Sequence, residues 1–195
     1  MTDFFHDHSW VAALVFGVLY ISDHTMTFVC ARLYQTRVRE KMAFEGSYEI
    51  TPFHQRDVDA LRRVSPRFVI VLVAGVAVVW LFGWTWADSS PELFAFLLGG
   101  LIVVQLTIHV RHVRNYVMFR AMLTDAVRGR VEYTRPMLLK ASAVEIFAFA
   151  ALYAVLFVFT GSLFVLGGVL GCVVLATQHW TLMRRARSAA PLGYR

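Results

Sequence analysis

Residues 68–87 read FVIVLVAGVAVVWLFGWTWA, and the chain continues Asp88-Ser89-Ser90-Pro91. An uncharged run of this length is what a hydrocarbon core of about 30 Å asks of one helix. The Ser90-Pro91 pair then sets a capping hydroxyl before a first-turn proline, so a second helix begins at once. A connection as short as 88–90 leaves only an antiparallel hairpin.

Working outward, segments 10–31, 91–110, 142–160 and 163–183 have the same length and character. Gly161-Ser162 is again too short for anything but a hairpin. The sequence therefore predicts an all-α fold. It is an integral membrane helical bundle of five transmembrane helices, one domain over residues 1–195. The composition agrees, with 58% hydrophobic and only 16% charged residues beside a net charge of +6. That combination excludes a typical soluble enzyme and a disordered tail. It gives no reason to expect a nucleic-acid partner.

The cations orient the bundle. Residues 32–67 hold eight Arg and Lys, residues 111–140 hold seven and residues 184–195 hold four, which is the whole inventory of 19. With five spans, these segments share one side, and the positive-inside rule makes it cytoplasmic. The expected layout has cytoplasmic segments 32–67 and 111–141 and a cytoplasmic tail 184–195. The N-terminus lies outside together with the turn at 87–92, carrying Asp3, Asp7, Asp88 and Glu92. The N-terminus lacks a basic region and a small-residue cleavage site, so the first helix reads as an uncleaved anchor. Trp10, Trp84 and Trp86 mark one interface, and Tyr34, Tyr116 and Trp180 the other. Arg outnumbers Lys 17 to 2, which we read as the signature of a GC-rich prokaryotic genome, and hence of an inner (cytoplasmic) membrane. Cys30 and Cys172 have no CxxC context and give no disulfide framework.

Thr51-Pro52, Ser65-Pro66 and Thr134-Arg135-Pro136 repeat the capping signal of Ser90-Pro91. The first helix is expected to run on to about Phe44 and break at Gly46-Ser47. A short helix at 52–64 would follow, with Phe53, Val58, Leu61 and Val64 on one side. Between them, the stretch EGSYEITP at 45–52 is less basic than its neighbours, and its turn residues suit a defined loop or partner contact; we read it as a capped connector. Residues 112–127 have amphipathic spacing and extend the third span, ending near Gly129. LGGL at 98–101 and LGGV at 166–169 occupy corresponding places in the two hairpins. Gly167 and Gly171 have GxxxG spacing, which serves close helix packing either within one chain or between chains.

Ionisable groups inside a bilayer cost about 2.5–3.5 kcal/mol each on insertion scales, so those present carry information. The first span has Asp23 and His24, with Tyr20 and Thr27 on the same stripe. The third has Gln105 and His109, continued by His112 and Tyr116 at i, i+4, i+7 and i+11. The fourth has Glu145, a turn after Ser142, and the fifth has Gln178 and His179. At 1.5 Å per residue, Asp23 and Gln105 lie about 20 Å from the outer ends of their helices, and His109 and His179 somewhat deeper. All fall in the cytoplasmic half. A structural reading pairs Asp23 and Glu145 with His24, His109 or His179 to hold the bundle together.

Two functional readings and one non-catalytic reading stand beside it. In the first, Asp23, His24, Gln105, His109, Glu145 and His179 bind an ion or relay protons, since imidazole titrates near neutrality and low dielectric raises carboxylate pKa values. The protein is then an ion or proton channel, or a small transporter, working as a homo-oligomer because five spans are few. His112 would lie at its mouth. In the second, His24, His109, His112, His179 and Glu145 supply ligands to a metal ion or haem in a membrane redox protein. No HExxH motif accompanies them, and the motifs call for no cofactor. In the third, the basic segments serve a membrane scaffold subunit. There is no GxSxG, P-loop or GxGxxG, so enzymatic activity has no motif. Arg62, Arg63, Arg67, Arg111, Arg114, Arg184 and Arg185 line the inner ends of spans, where anionic lipid headgroups attract them. His6-Asp7-His8 reads as a solvated terminus.

Overall fold

The computed structural model describes residues 8–124, 126 and 128–189; Asp3, His6, Asp7, Asp125, Val127 and the end of the 184–195 tail lie outside the described residues. The chain is 80% helical. Its long helices are α1 (Ser9–Leu33), α3 (Pro66–Trp86), α4 (Pro91–Leu123), α5 (Arg135–Thr160) and α6 (Leu163–Ala189), with a short α2 at Pro52–Asp59. All five long helices have the length and apolarity to cross a membrane. Their outward faces carry Ile70, Val73, Leu152, Val158, Phe159 and Val174, all exposed. An aqueous solvent disfavours so large an apolar surface, and a lipid solvent matches it. These features fit a multi-pass membrane protein.

Helix α4 lies at the centre. On one flank it packs against α1, which carries α3 behind it, and on the other against α6, which carries α5. The α4–α6 seam is set by the paired glycines. A Cβ on Gly99 would stand 1.8 Å from the carbonyl oxygen of Phe164, and one on Gly167 would stand 1.8 Å from that of Phe96. Gly171 meets Gly100 in the same way. The two glycine motifs thus pack against each other within one chain, allowing backbones to approach as larger residues would forbid. Gly161, at φ 59°, ends α5 in the left-handed conformation that glycine adopts without penalty, which closes the second hairpin.

Of the capping hydroxyls, Ser65 Oγ accepts from Phe68 N at 3.1 Å and Thr134 Oγ1 accepts from Met137 N at 3.4 Å. Ser90 and Thr51 precede their prolines without a side-chain cap bond. There the proline's preset φ, rather than a hydroxyl, starts the helix.

Three expectations are corrected at the arginine-rich end. The first helix does not reach Phe44. It ends at Leu33, passes through a π-helical turn at Tyr34–Val38, and gives way to a strand β1 at Met42–Phe44. The turn accommodates one extra residue, so that Tyr34 and Val38 both point inward and are buried. Strand β1 pairs in parallel with β2 (Val131–Tyr133), Phe44 opposite Tyr133. Phe44 also stacks on Tyr34 at 4.7 Å between ring centroids, and that aromatic packing holds the segment extended. Second, α2 stops at Asp59, because Leu61 takes φ 49° to redirect the chain toward α3. Third, of its proposed apolar face Val58 is buried, whereas Phe53 and Val64 are exposed.

Candidate functional site

The polar residues of α1 and α4 meet where the two helices cross toward the arginine-rich end. His112 Nε2 lies 2.8 Å from Asp23 Oδ1, and Thr27 Oγ1 is 3.1 Å from the same nitrogen. The carboxylate can only accept, so the proton of a neutral ring sits on Nε2 and leaves a lone pair on Nδ1. That Nδ1 is buried and has no hydrogen-bond partner among the described residues. The pair lines a cavity of about 460 Å³.

The cavity is walled by four helices and roofed by the connector. Tyr20, Asp23 and Thr27 come from α1, Arg111, His112 and Asn115 from α4, Ser142 from α5 and His179 from α6. Tyr48, Glu49, Ile50 and Thr51 close it from above. The roof is tied down: Asn115 Nδ2 donates to Tyr48 Oη at 3.4 Å, Thr51 N donates to Glu49 Oε1 at 2.7 Å, and Arg135 N donates to Glu45 Oε2 at 2.8 Å. Burial pushes the Tyr48 phenol up, so its hydroxyl stays protonated. The connector at 45–52 is thus a structured lid, and Tyr48, Glu49 and Asn115 are site residues that the sequence did not single out. The turn residues of 45–52 suggest a defined loop but not that it meets the polar layer. Their role comes from β1 and β2 carrying the segment back over the helix ends.

The predicted residues sort into three groups. Asp23, His24 and His179 line the cavity. His179 Nδ1 is 2.7 Å from Ser142 Oγ, and His24 donates from Nε2 to the carbonyl of Arg63 at 2.9 Å while stacking on Phe68 at 4.0 Å. Glu145 reaches the cavity only through its arginines. It accepts from Arg111 Nε at 3.1 Å and also pairs with Arg114. Arg111 and Arg114, read from sequence as headgroup contacts, line the cavity and share this carboxylate. The Arg111 side chain is only 13% exposed, against 52% for Arg114, so Arg111 depends on Glu145 for its partner.

Gln105 and His109 are not part of the cavity wall. They continue the His112 stripe along α4 toward the tryptophan-bearing end. His109 donates from Nδ1 to the carbonyl of Gln105 at 2.7 Å, which fixes its proton there and leaves Nε2 as an acceptor. Both His109 Nε2 and Gln105 Oε1 are buried without a hydrogen-bond partner among the described residues. Together with His112 Nδ1, these are the buried unpartnered side-chain nitrogen and oxygen atoms of the five long helices among the described residues, and all three sit on α4 at i, i+4 and i+7.

Of the ligand set envisaged for a metal or haem, His24, His112 and His179 line the cavity, and His109 and Glu145 do not. Among the described residues no three His, Cys, Asp or Glu side chains are grouped to hold a metal ion. Arg62 and Arg67 lie near Asp57, at 3.5 and 3.9 Å from its oxygens, within the loop-side packing below α3. Arg184 and Arg185 are exposed on the last turns of α6.

The chain matches no protein-family description, no curated protein and no solved structure.

Proposed function

We propose that this protein is a proton-conducting or proton-coupled channel of the inner membrane, with the α4 stripe Gln105–His109–His112 as its proton path and Asp23 as the counter-charge. The observation that carries the reading is the His112–Asp23 contact of 2.8 Å in the wall of a cavity of about 460 Å³. A proton arriving at His112 Nδ1 makes an imidazolium beside the Asp23 carboxylate, which stabilises it by charge and hydrogen bond. Release of the Nδ1 proton restores the starting tautomer. His109 Nε2 and Gln105 Oε1 offer acceptors at the next two turns of the same face. Buried acceptors without a partner are costly, about 1–3 kcal/mol each. A hydrated proton path gives all three the same reason to be there.

The distribution of cations supports an orientation with the arginine-rich end and the cavity cytoplasmic, and the N-terminus outside. Arg111 and Arg114 with Glu145 then form the cytoplasmic wall, and the lid at 45–52 covers the entrance. Five helices are few for a complete transporter, so the working unit in this reading is a homo-oligomer.

The test is proton flux into liposomes holding the purified protein, driven by a potassium diffusion potential and followed by an internal pH dye. Wild type is expected to exceed empty liposomes, and His112→Gln and Asp23→Asn to fall at least tenfold below it. Flux that survives both substitutions, or a wild type no faster than empty liposomes, overturns the reading.

A further inference from the structure

A second concavity adjoins α1, and His24 lines both it and the cavity of Asp23 and His112. It is a groove of about 820 Å³ bordered by α1, the π-helical turn, the loop before α3 and the end of α4. Its lining is both apolar and cationic. Apolar Phe28, Val29, Leu33, Tyr116 and Leu123 and the cationic Arg32, Arg37, Arg63 and Arg120 share its lining. No Asp or Glu lines it, and none of the four arginines forms an ion pair among the described residues. They arrive from three separate parts of the chain.

Arg63 is held in place at two points. Its carbonyl accepts from His24 Nε2 at 2.9 Å, and its guanidinium lies 5.8 Å from the centroid of the Phe28 ring. A cation–π contact occupies the face of the guanidinium and not its N–H donors, and Arg63 lines the groove. The result is a groove that follows about 20 Å of the chain from His24 to Arg37, at 1.5 Å per residue, and combines apolar side chains with four guanidiniums. An amphiphile with a long hydrocarbon chain and a phosphate headgroup has the same pattern.

We propose that this groove is a binding site for one anionic phospholipid, its phosphate held by Arg32, Arg63 and Arg120 and its acyl chain lying along Phe28, Val29 and Tyr116. Arg37 sits at the outer rim and meets the rest of the headgroup. The site needs the chain to lie in a bilayer, and it does not need proton conduction.

Native mass spectrometry of the delipidated full chain in detergent, titrated with phosphatidylglycerol or phosphatidylcholine, tests it. One phosphatidylglycerol per protomer is expected to bind at least tenfold more tightly than phosphatidylcholine. Each interfacial arginine contributes roughly fivefold, so the Arg32→Gln/Arg63→Gln/Arg120→Gln variant should lose on the order of a hundredfold. The corresponding triple lysine variant retains the charge without the fork of donors and should bind between the two; it also serves if the glutamine variant does not fold. Arg184→Gln/Arg185→Gln, on α6, should bind like wild type. Equal affinity for the two lipids, no loss in the glutamine variant or, where that does not fold, wild-type affinity in the lysine variant, or displacement by millimolar inorganic phosphate would overturn the proposal. The last result would assign the arginines to free phosphate instead.

Discussion

Asp23 on α1 and His112 on α4 are 89 positions apart in sequence and 2.8 Å apart in space. Their side chains are 20% and 13% exposed, so the contact is made largely out of water. It ties the first helix to the central one at the depth where the cavity begins. A double-mutant cycle on Asp23→Asn and His112→Gln should give a coupling energy of about 0.5–3 kcal/mol. The measurement is unfolding in mixed micelles; additive effects would mean that the contact does not form.

Glu145 holds two arginines that differ in burial. Glu145→Gln leaves Arg111 buried without its counter-charge and should cost about 3–5 kcal/mol. Arg114→Gln removes only a half-exposed partner and should cost less than about 1 kcal/mol. The ordering, read from denaturant unfolding of the purified variants, is the outcome that matters. Equal costs would place Arg111 in water.

The α4–α6 seam predicts a steep dependence on glycine. Gly99→Ala and Gly167→Ala each put a methyl group into a backbone carbonyl, which no rotamer change relieves. Each should cost about 3 kcal/mol or more. A Cβ on Gly75 instead meets a side chain, the Phe16 ring at 2.5 Å, and a side chain yields more readily than backbone, so Gly75→Ala should cost less, about 1–2 kcal/mol. Thermal unfolding in detergent compares the three.

Tyr34 predicts a local effect in the lid's support. Its hydroxyl accepts from Phe44 N at 2.9 Å. Tyr34→Phe keeps the ring stack and removes the acceptor, leaving a backbone N–H unpaired at a cost of about 1–3 kcal/mol. Hydrogen exchange should quicken at Phe44 while the long helices keep their protection. Unchanged exchange at Phe44 would show that its amide finds another partner.

Most of the helical architecture was legible in the sequence. Long uncharged runs such as 68–87 leave a helix as the only way to satisfy the backbone in lipid, and connections as short as Gly161-Ser162 force hairpins. The repeated Leu-Gly-Gly motifs were visible too, as was the stripe Gln105, His109, His112. Less legible was everything that depends on two distant segments at once. Residues 41–51 carry no strand signal strong enough to stop a helix; Phe44 leaves the helical path because Tyr34, Tyr133 and Phe119 offer it an aromatic pocket. Arg111 looked like its neighbours at a helix end, since spacing along α4 does not reveal that Glu145 waits on α5.

Length and apolarity alone determined that this chain makes five long helices, because those properties act residue by residue along one segment. They also determined which residues are costly to bury. Only the tertiary structure decided which of those residues meet. It placed His112 against Asp23 and left Gln105 Oε1 and His109 Nε2, on the same stripe, without a hydrogen-bond partner among the described residues. It also folded the connector at 45–52 over the cavity as a lid. Such pairings depend on how α1, α4 and α6 are rotated and how closely they approach. That is set by glycine contacts and side-chain packing between helices, which hydropathy along a single helix does not encode.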